Sequence, residues 1–133
     1  MIEMKNVQKT YPNGVSAVKG LNVKIQSGEF VYVVGPSGAG KSTFIKMMYR
    51  EEKPTSGTIT INGRDIAHIK DRKVPLLRRD IGVIFQDFKL LNNLTVFENI
   101  AFALEVTEEK PQAIKKKVME VLELVGLKHK VRM

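Results

Sequence analysis

Cysteine and tryptophan are both missing from this chain of 133 residues. Without a thiol there can be no disulfide and no thiolate-held metal, which fits a reducing compartment. No run approaches the ~18 apolar residues that would suggest a membrane span. The opening Met1-Ile2-Glu3-Met4-Lys5 lacks the apolar stretch of a secretory signal. These absences together predict a cytosolic protein. Internal repeats and low-complexity tracts are lacking too. What is present is ordinary for a soluble domain: 43% hydrophobic and 27% charged residues, enough for one core. The formal net charge is +8, but the charges are spread along the chain. The one dense run, Lys115-Lys116-Lys117, covers a solvated face at helical spacing, so nucleic-acid binding is not expected.

Hydrophobic patterning places strands at Ile2 to Lys9 and Leu21 to Gln26, separated by the turn Pro12-Asn13-Gly14. Phe30 to Val34 is β-branched and aromatic throughout and reads as a strand buried on both faces, as in a parallel sheet. Lys41 to Tyr49 reads as a helix with Phe44, Ile45 and Met48 on one face. Thr58 to Ile61 reads as a strand ending in the hairpin turn Asn62-Gly63. A short helix is expected after Pro75, and a further strand over Ile81 to Phe85. Thr95, with Glu98 three residues on, predicts a capping box opening a helix that runs through Leu104. Pro111 to Val125 is amphipathic, with Ile114, Val118, Val121, Leu122 and Val125 on one side and Gly126 as its stop. Leu127 to Met133 has no clear assignment.

The run Gly35-Pro36-Ser37-Gly38-Ala39-Gly40-Lys41-Ser42 matches the P-loop pattern G-x-x-x-x-G-K-[ST], with a strand expected before it and a helix after it. Glycines let the backbone curl so that successive N–H groups point at phosphate oxygens. The helix that follows aims its unpaired N–H groups and positive dipole end at the same place. Lys41 can reach the β- and γ-phosphates of a nucleotide, and Ser42 offers a hydroxyl to Mg²⁺. Thr43 is placed to help at the α-phosphate.

The loop, extended by Thr43, resembles the form used by the nucleotide-binding domains of ABC ATPases. Three other features share the likeness: Tyr11 in Lys9-Thr10-Tyr11-Pro12, Thr55-Ser56-Gly57-Thr58-Ile59 with Asn62-Gly63, and Ile81-Gly82-Val83-Ile84-Phe85-Gln86-Asp87. They look like the family's A-loop aromatic, arm hairpin and Q-loop, in the right order, and the resemblance covers essentially the whole chain. It implies an α/β fold, with ATP or ADP and Mg²⁺ in the site. Tyr11 would stack on adenine, with Val18 either beside the same base or in the core. Gln86 would reach Mg²⁺ and the attacking water. Lys41 and Gln86 are then the candidate catalytic residues, and Ser42 and Gln86 the candidate metal contacts. Asp87 to Asn93 and the helix after it would form the groove gripping a membrane partner, with the apolar Phe88, Leu90 and Leu91 either marking the binding patch or covering the local core.

Within the family the stretches Arg79 to Leu91 and Thr95 to Val106 are most similar to ATPases of bacterial cell division, with lipoprotein-releasing and macrolide-export ATPases as near relatives. The likeness implies an FtsX-like integral membrane partner, a homodimer when the full-length form binds ATP, and residence on the cytoplasmic face of the plasma membrane. The family's signature motif, Walker B strand and switch histidine do not occur in these 133 residues, and His68 and His129 read as surface residues. The expectation is therefore the N-terminal portion, 1–133, of one ABC ATP-binding domain: a P-loop core with an antiparallel β arm and Q-loop over 1–94, and the start of a helical subdomain over 95–133. Such a piece would be a non-hydrolysing nucleotide binder on its own. Its Phe30 to Val34 strand would keep an open apolar edge, inviting pairing with another chain.

Overall fold

The computed structural model describes residues 1–38 and 40–133. They divide into two compact units, Met1–Val83 and Ile84–Met133.

The first unit is built on an antiparallel sheet. β1 (Ile2–Thr10) is central, flanked by β2 (Ser16–Ile25) and β3 (Ser56–Ile61), and the two-residue β4 (Arg64–Asp65) pairs with β3 across the Asn62-Gly63 turn. The strand order is β2-β1-β3-β4. β1 alternates imperfectly because it carries a bulge: Asn6 has φ 50 and the register with β2 shifts between Met4 and Val7. The extra residue turns both Met4 and Val7 inward. α1 (Lys41–Met48) lies against this sheet through Phe44 and Met47, and α2 (Val74–Arg79), with Pro75 in its first turn, contributes Leu77. Met4, Val7, Val18, Phe44, Met47, Ile59, Ile66 and Leu77 form the core. Each fully buried apolar side chain of this size contributes about 1.5–3 kcal/mol.

Two expected strands are absent. Neither Phe30 to Val34 nor Ile81 to Phe85 belongs to a strand. Phe30, Tyr32 and Val34 are 82%, 81% and 85% exposed, where burial on both faces was expected. The physical reason is that β propensity needs a hydrogen-bonded neighbour to become a strand, and no described residue pairs with either segment. Ile45 is also exposed, and Met47 takes the buried place on α1. The helix starts at Lys41, and the sheet meets the stripe Thr43, Phe44, Met47. His68 is on the surface as expected; its Nδ1 lies 2.7 Å from Asp65 Oδ2, and this bond holds the Asp65 carboxyl below its usual range.

In the second unit α3 (Val96–Val106) and α4 (Pro111–Leu124) pack through Ala101, Ile114, Val118 and Leu122. Val121 and Val125 were expected on the same buried side and are exposed. Gly126 ends α4 in a Schellman pattern, with Gly126 N donating to Glu123 O at 3.1 Å and Leu127 N to Leu122 O at 2.8 Å. The unassigned tail forms a 3-10 turn at Lys128–Lys130. Its end then serves α3, because Val131 O and Met133 O accept from Phe97 N and Val96 N. These are N–H groups that a helix start leaves unpaired. The described residues contain no helix long and apolar enough to cross a membrane.

The capping box is formed in full. Glu98 N donates to Thr95 Oγ1 at 3.2 Å, and Thr95 N donates to Glu98 Oε2 at 2.7 Å. The Thr95 backbone N–H, followed by its hydroxyl, holds the Glu98 carboxyl below its ordinary value. A lowered carboxylate stabilises the fold above its unfolded pKa, and that share is lost as pH falls through the lowered value. Thr95→Ala is expected to cost about 1 kcal/mol. Thermal melts of both proteins at neutral pH check this, and the difference should shrink in acid.

Candidate functional site

Gly35, Pro36, Ser37 and Gly38 form an exposed loop leading into α1. Ala39, also part of the motif, lies outside the described residues. Gly40 is the N-cap of α1 with φ 89, and a Cβ there would come within 3.0 Å of the Ala17 carbonyl oxygen. Only glycine fits both the backbone conformation and the close approach of β2. No side chain caps α1 and no acidic residue occupies its first turn. Its leading N–H groups and positive dipole end therefore remain available to an anion. Ser42, in the first turn, is exposed.

Lys41 turns back over the loop, and its ammonium donates to the carbonyls of Gly35 and, at 3.1 Å, of Pro36. The cation thus stands at the loop itself rather than ranging into solvent. Thr43 is buried, and its hydroxyl meets the Tyr11 hydroxyl at 2.9 Å. Two residues far apart in sequence, both expected in the site, are brought together here. Val18 belongs to the core, where its neighbours include Phe44. Beside Lys41 and Gly40 lies a groove of about 450 Å³ lined by Val18, Leu21 and Val23 of β2 and by Val31 and Val33.

Gln86 belongs to the second unit and is exposed. The neighbouring Phe88 and Leu90 are 88% and 62% exposed, and Leu91 also faces solvent. Asn99 of α3 fixes the end of this stretch by accepting from Leu91 N at 2.8 Å and donating to Leu91 O at 3.1 Å. The apolar side chains are therefore presented outward and do not cover a core.

The residues fit a nucleoside triphosphate: an uncapped helix start, a glycine that admits close backbone approach, an ammonium at the loop and an aromatic ring tied to the same helix. The model of the ABC transporter family matches residues 18–133. The chain belongs to the ABC transporter family. It is 70% identical to the cell division ATP-binding protein FtsE of Bacillus subtilis over 99% of its own length, and 45% identical to the methionine import ATP-binding protein MetN of Helicobacter pylori over 98%. It spans 58% of the first and 40% of the second. Among solved structures it is similar to the ATP-binding cassette MJ0796 in a dimeric post-hydrolysis state bound to ADP and Pi. That match has TM-score 0.89 and 34% identity, and covers 99% of this chain and 60% of the other. The expected α/β fold of part of an ABC ATPase domain, with its antiparallel arm, is the one observed.

One residue of this neighbourhood escaped the sequence reading. Lys9 lies over the Tyr11 ring, 5.2 Å from its centroid. The available signal was the two-residue spacing, which puts both side chains on one face of an extended chain.

Proposed function

We propose that this chain is the nucleotide-binding part of an ATPase subunit acting in bacterial cell division with an integral membrane partner of the FtsX kind. The observation that carries the reading is the uncapped start of α1, with Gly40 against Ala17 and Lys41 at the loop. The 70% identity to an FtsE protein supports the division role over export. ATP phosphates lie on the loop from Gly35 to Thr43, Lys41 contacts the β- and γ-phosphates, and adenine stacks on Tyr11. Ser42 and Gln86 would hold Mg²⁺, which would neutralise charge on those phosphates. Residues 1–94 form the nucleotide-binding core and 95–133 the start of the helical subdomain. The exposed Phe88, Leu90 and Leu91 contact the membrane partner, which keeps the subunit on the cytoplasmic face of the membrane.

The full-length protein binds ATP as a homodimer and hydrolyses it. In that longer chain, additional strands fill the groove beside Val31 and Val33 and pair with 30–34, which supplies the hydrogen-bonded neighbours that these segments need.

Equilibrium binding of a labelled ATP analogue with Mg²⁺ to the full-length protein tests the reading, and absence of saturable binding rejects it. Gln86→Ala should leave binding within about threefold and slow hydrolysis by about 10-fold or more, as expected for a group that orients water. Equal hydrolysis by the variant would remove Gln86 from the mechanism.

A further inference from the structure

Tyr11 follows the last residue of β1, in a turn where its N–H donates to Val15 O at 2.9 Å and its carbonyl accepts from Gly14 N at 2.9 Å. Those bonds hold the backbone but leave the side-chain torsions open. The ring is fixed by other groups. Its hydroxyl meets Thr43 Oγ1 in the first turn of α1. One face lies under the Lys9 ammonium. That ammonium is itself anchored: it donates to Lys53 O at 2.8 Å and pairs with Glu52 Oε2 at 3.2 Å, and the Lys9 side chain is only 14% exposed. The same stretch after α1 is pinned to β1 again, with Thr55 N donating to Gln8 O at 2.7 Å and Thr10 N to Thr55 Oγ1 at 2.9 Å. The turn that carries Tyr11 is thus braced from both ends of the α1 segment.

A cation seated on one face of an aromatic ring leaves the other face for a flat partner. It also fixes the ring plane, so less side-chain freedom is lost when that partner arrives. We infer that Lys9 is a positioning residue for the base platform: anchored by Glu52 and the Lys53 carbonyl, it holds Tyr11 in the orientation that receives the purine of the nucleotide. This rests on the reading of Tyr11 as the adenine platform. The role is distinct from phosphate attraction, because the Lys9 charge is already engaged by Glu52, by a carbonyl and by the ring.

The test compares two ligands on the full-length protein: MgATP, which has a base, and tripolyphosphate with Mg²⁺, which has none. Lys9→Met should raise the Kd for MgATP by about two- to fivefold and leave that for tripolyphosphate unchanged. Lys9→Arg, which keeps a cation able to lie over the ring, should stay near the parent value. In a Tyr11→Ala background, Lys9→Met should add nothing, because the ring through which it acts is gone. Equal weakening for both ligands would overturn the inference in favour of direct attraction of phosphate. A full, additive loss in the Tyr11→Ala background would overturn it as well, as would an unchanged Kd for MgATP in Lys9→Met. If Tyr11→Ala alone leaves MgATP binding intact, the platform reading itself fails, and the role of Lys9 falls with it.

Discussion

Lys41→Ala is expected to weaken MgATP binding by about 30- to 1,000-fold, corresponding to roughly 2–4 kcal/mol. The residue is the one cation of the P-loop motif, and no acidic side chain in the first turn of α1 competes for it. Its partners in this structure are the loop's own carbonyls at Gly35 and Pro36. Removing it therefore costs little in the absence of nucleotide, since exposed carbonyls can turn to water. With nucleotide bound, the same deletion leaves phosphate charge without its ammonium, and the loss is large. The signature is a variant that melts close to the parent when free and gains almost none of the thermal shift that MgATP gives the parent. Calorimetric titration checks the affinity and a melt with and without ligand checks the shift.

Gly57→Ala is expected to damage folding severely. Gly57 sits in β3 at φ 90, opposite the bulge of β1. A Cβ at this position would lie 2.6 Å from both the Asn6 carbonyl carbon and Val7 Cα. These are backbone atoms of the central strand, so neither can swing aside as a flexible side chain would. Left-handed strain adds about 1–2 kcal/mol and forced overpacking about 1–3 kcal/mol, for a total of about 2–5 kcal/mol. The clash falls on the β1 backbone at Asn6 and Val7, and Val7 shares the core of the first unit with Met4 and Ile59. Its relief would separate β1 from β3. Thermal or denaturant unfolding of the full-length protein should show a fall in Tm of about 4–20 °C. A Tm within about 2 °C of the parent would show that the β1 bulge is more plastic than its geometry implies.

Much of the site was legible because its signals are local. The Asn62-Gly63 turn, the Thr95–Glu98 box and the Gly126 stop each depend on residues a few positions apart, and each appears where it was expected; the P-loop spacing is local too, and its last glycine, Gly40, opens α1. What was not legible depends on partners distant in sequence. Phe30 to Val34 has the composition of a buried strand, yet composition cannot supply a neighbour, and none of the described residues does. The bulge at Asn6 was not legible either, although β1 itself was placed within one residue of its observed end. Ile45 and Met47 exchanged places because hydrophobicity alone does not say which side of a helix meets the sheet. Lys9 drew no attention because its role is set by Glu52, Lys53 and the Tyr11 ring together. That constellation exists only once β1 and the segment after α1 are side by side.

The most direct test of the central claim is amide hydrogen exchange across the full-length protein with and without MgATP. The claim is that backbone N–H groups between Gly35 and Thr43 hold the phosphates. Nucleotide should slow exchange in that segment, together with the turn around Tyr11, and Lys41→Ala should abolish the slowing at matched concentration. Protection by MgATP confined to other parts of the chain, with residues 35–43 exchanging as in the free protein, would contradict it.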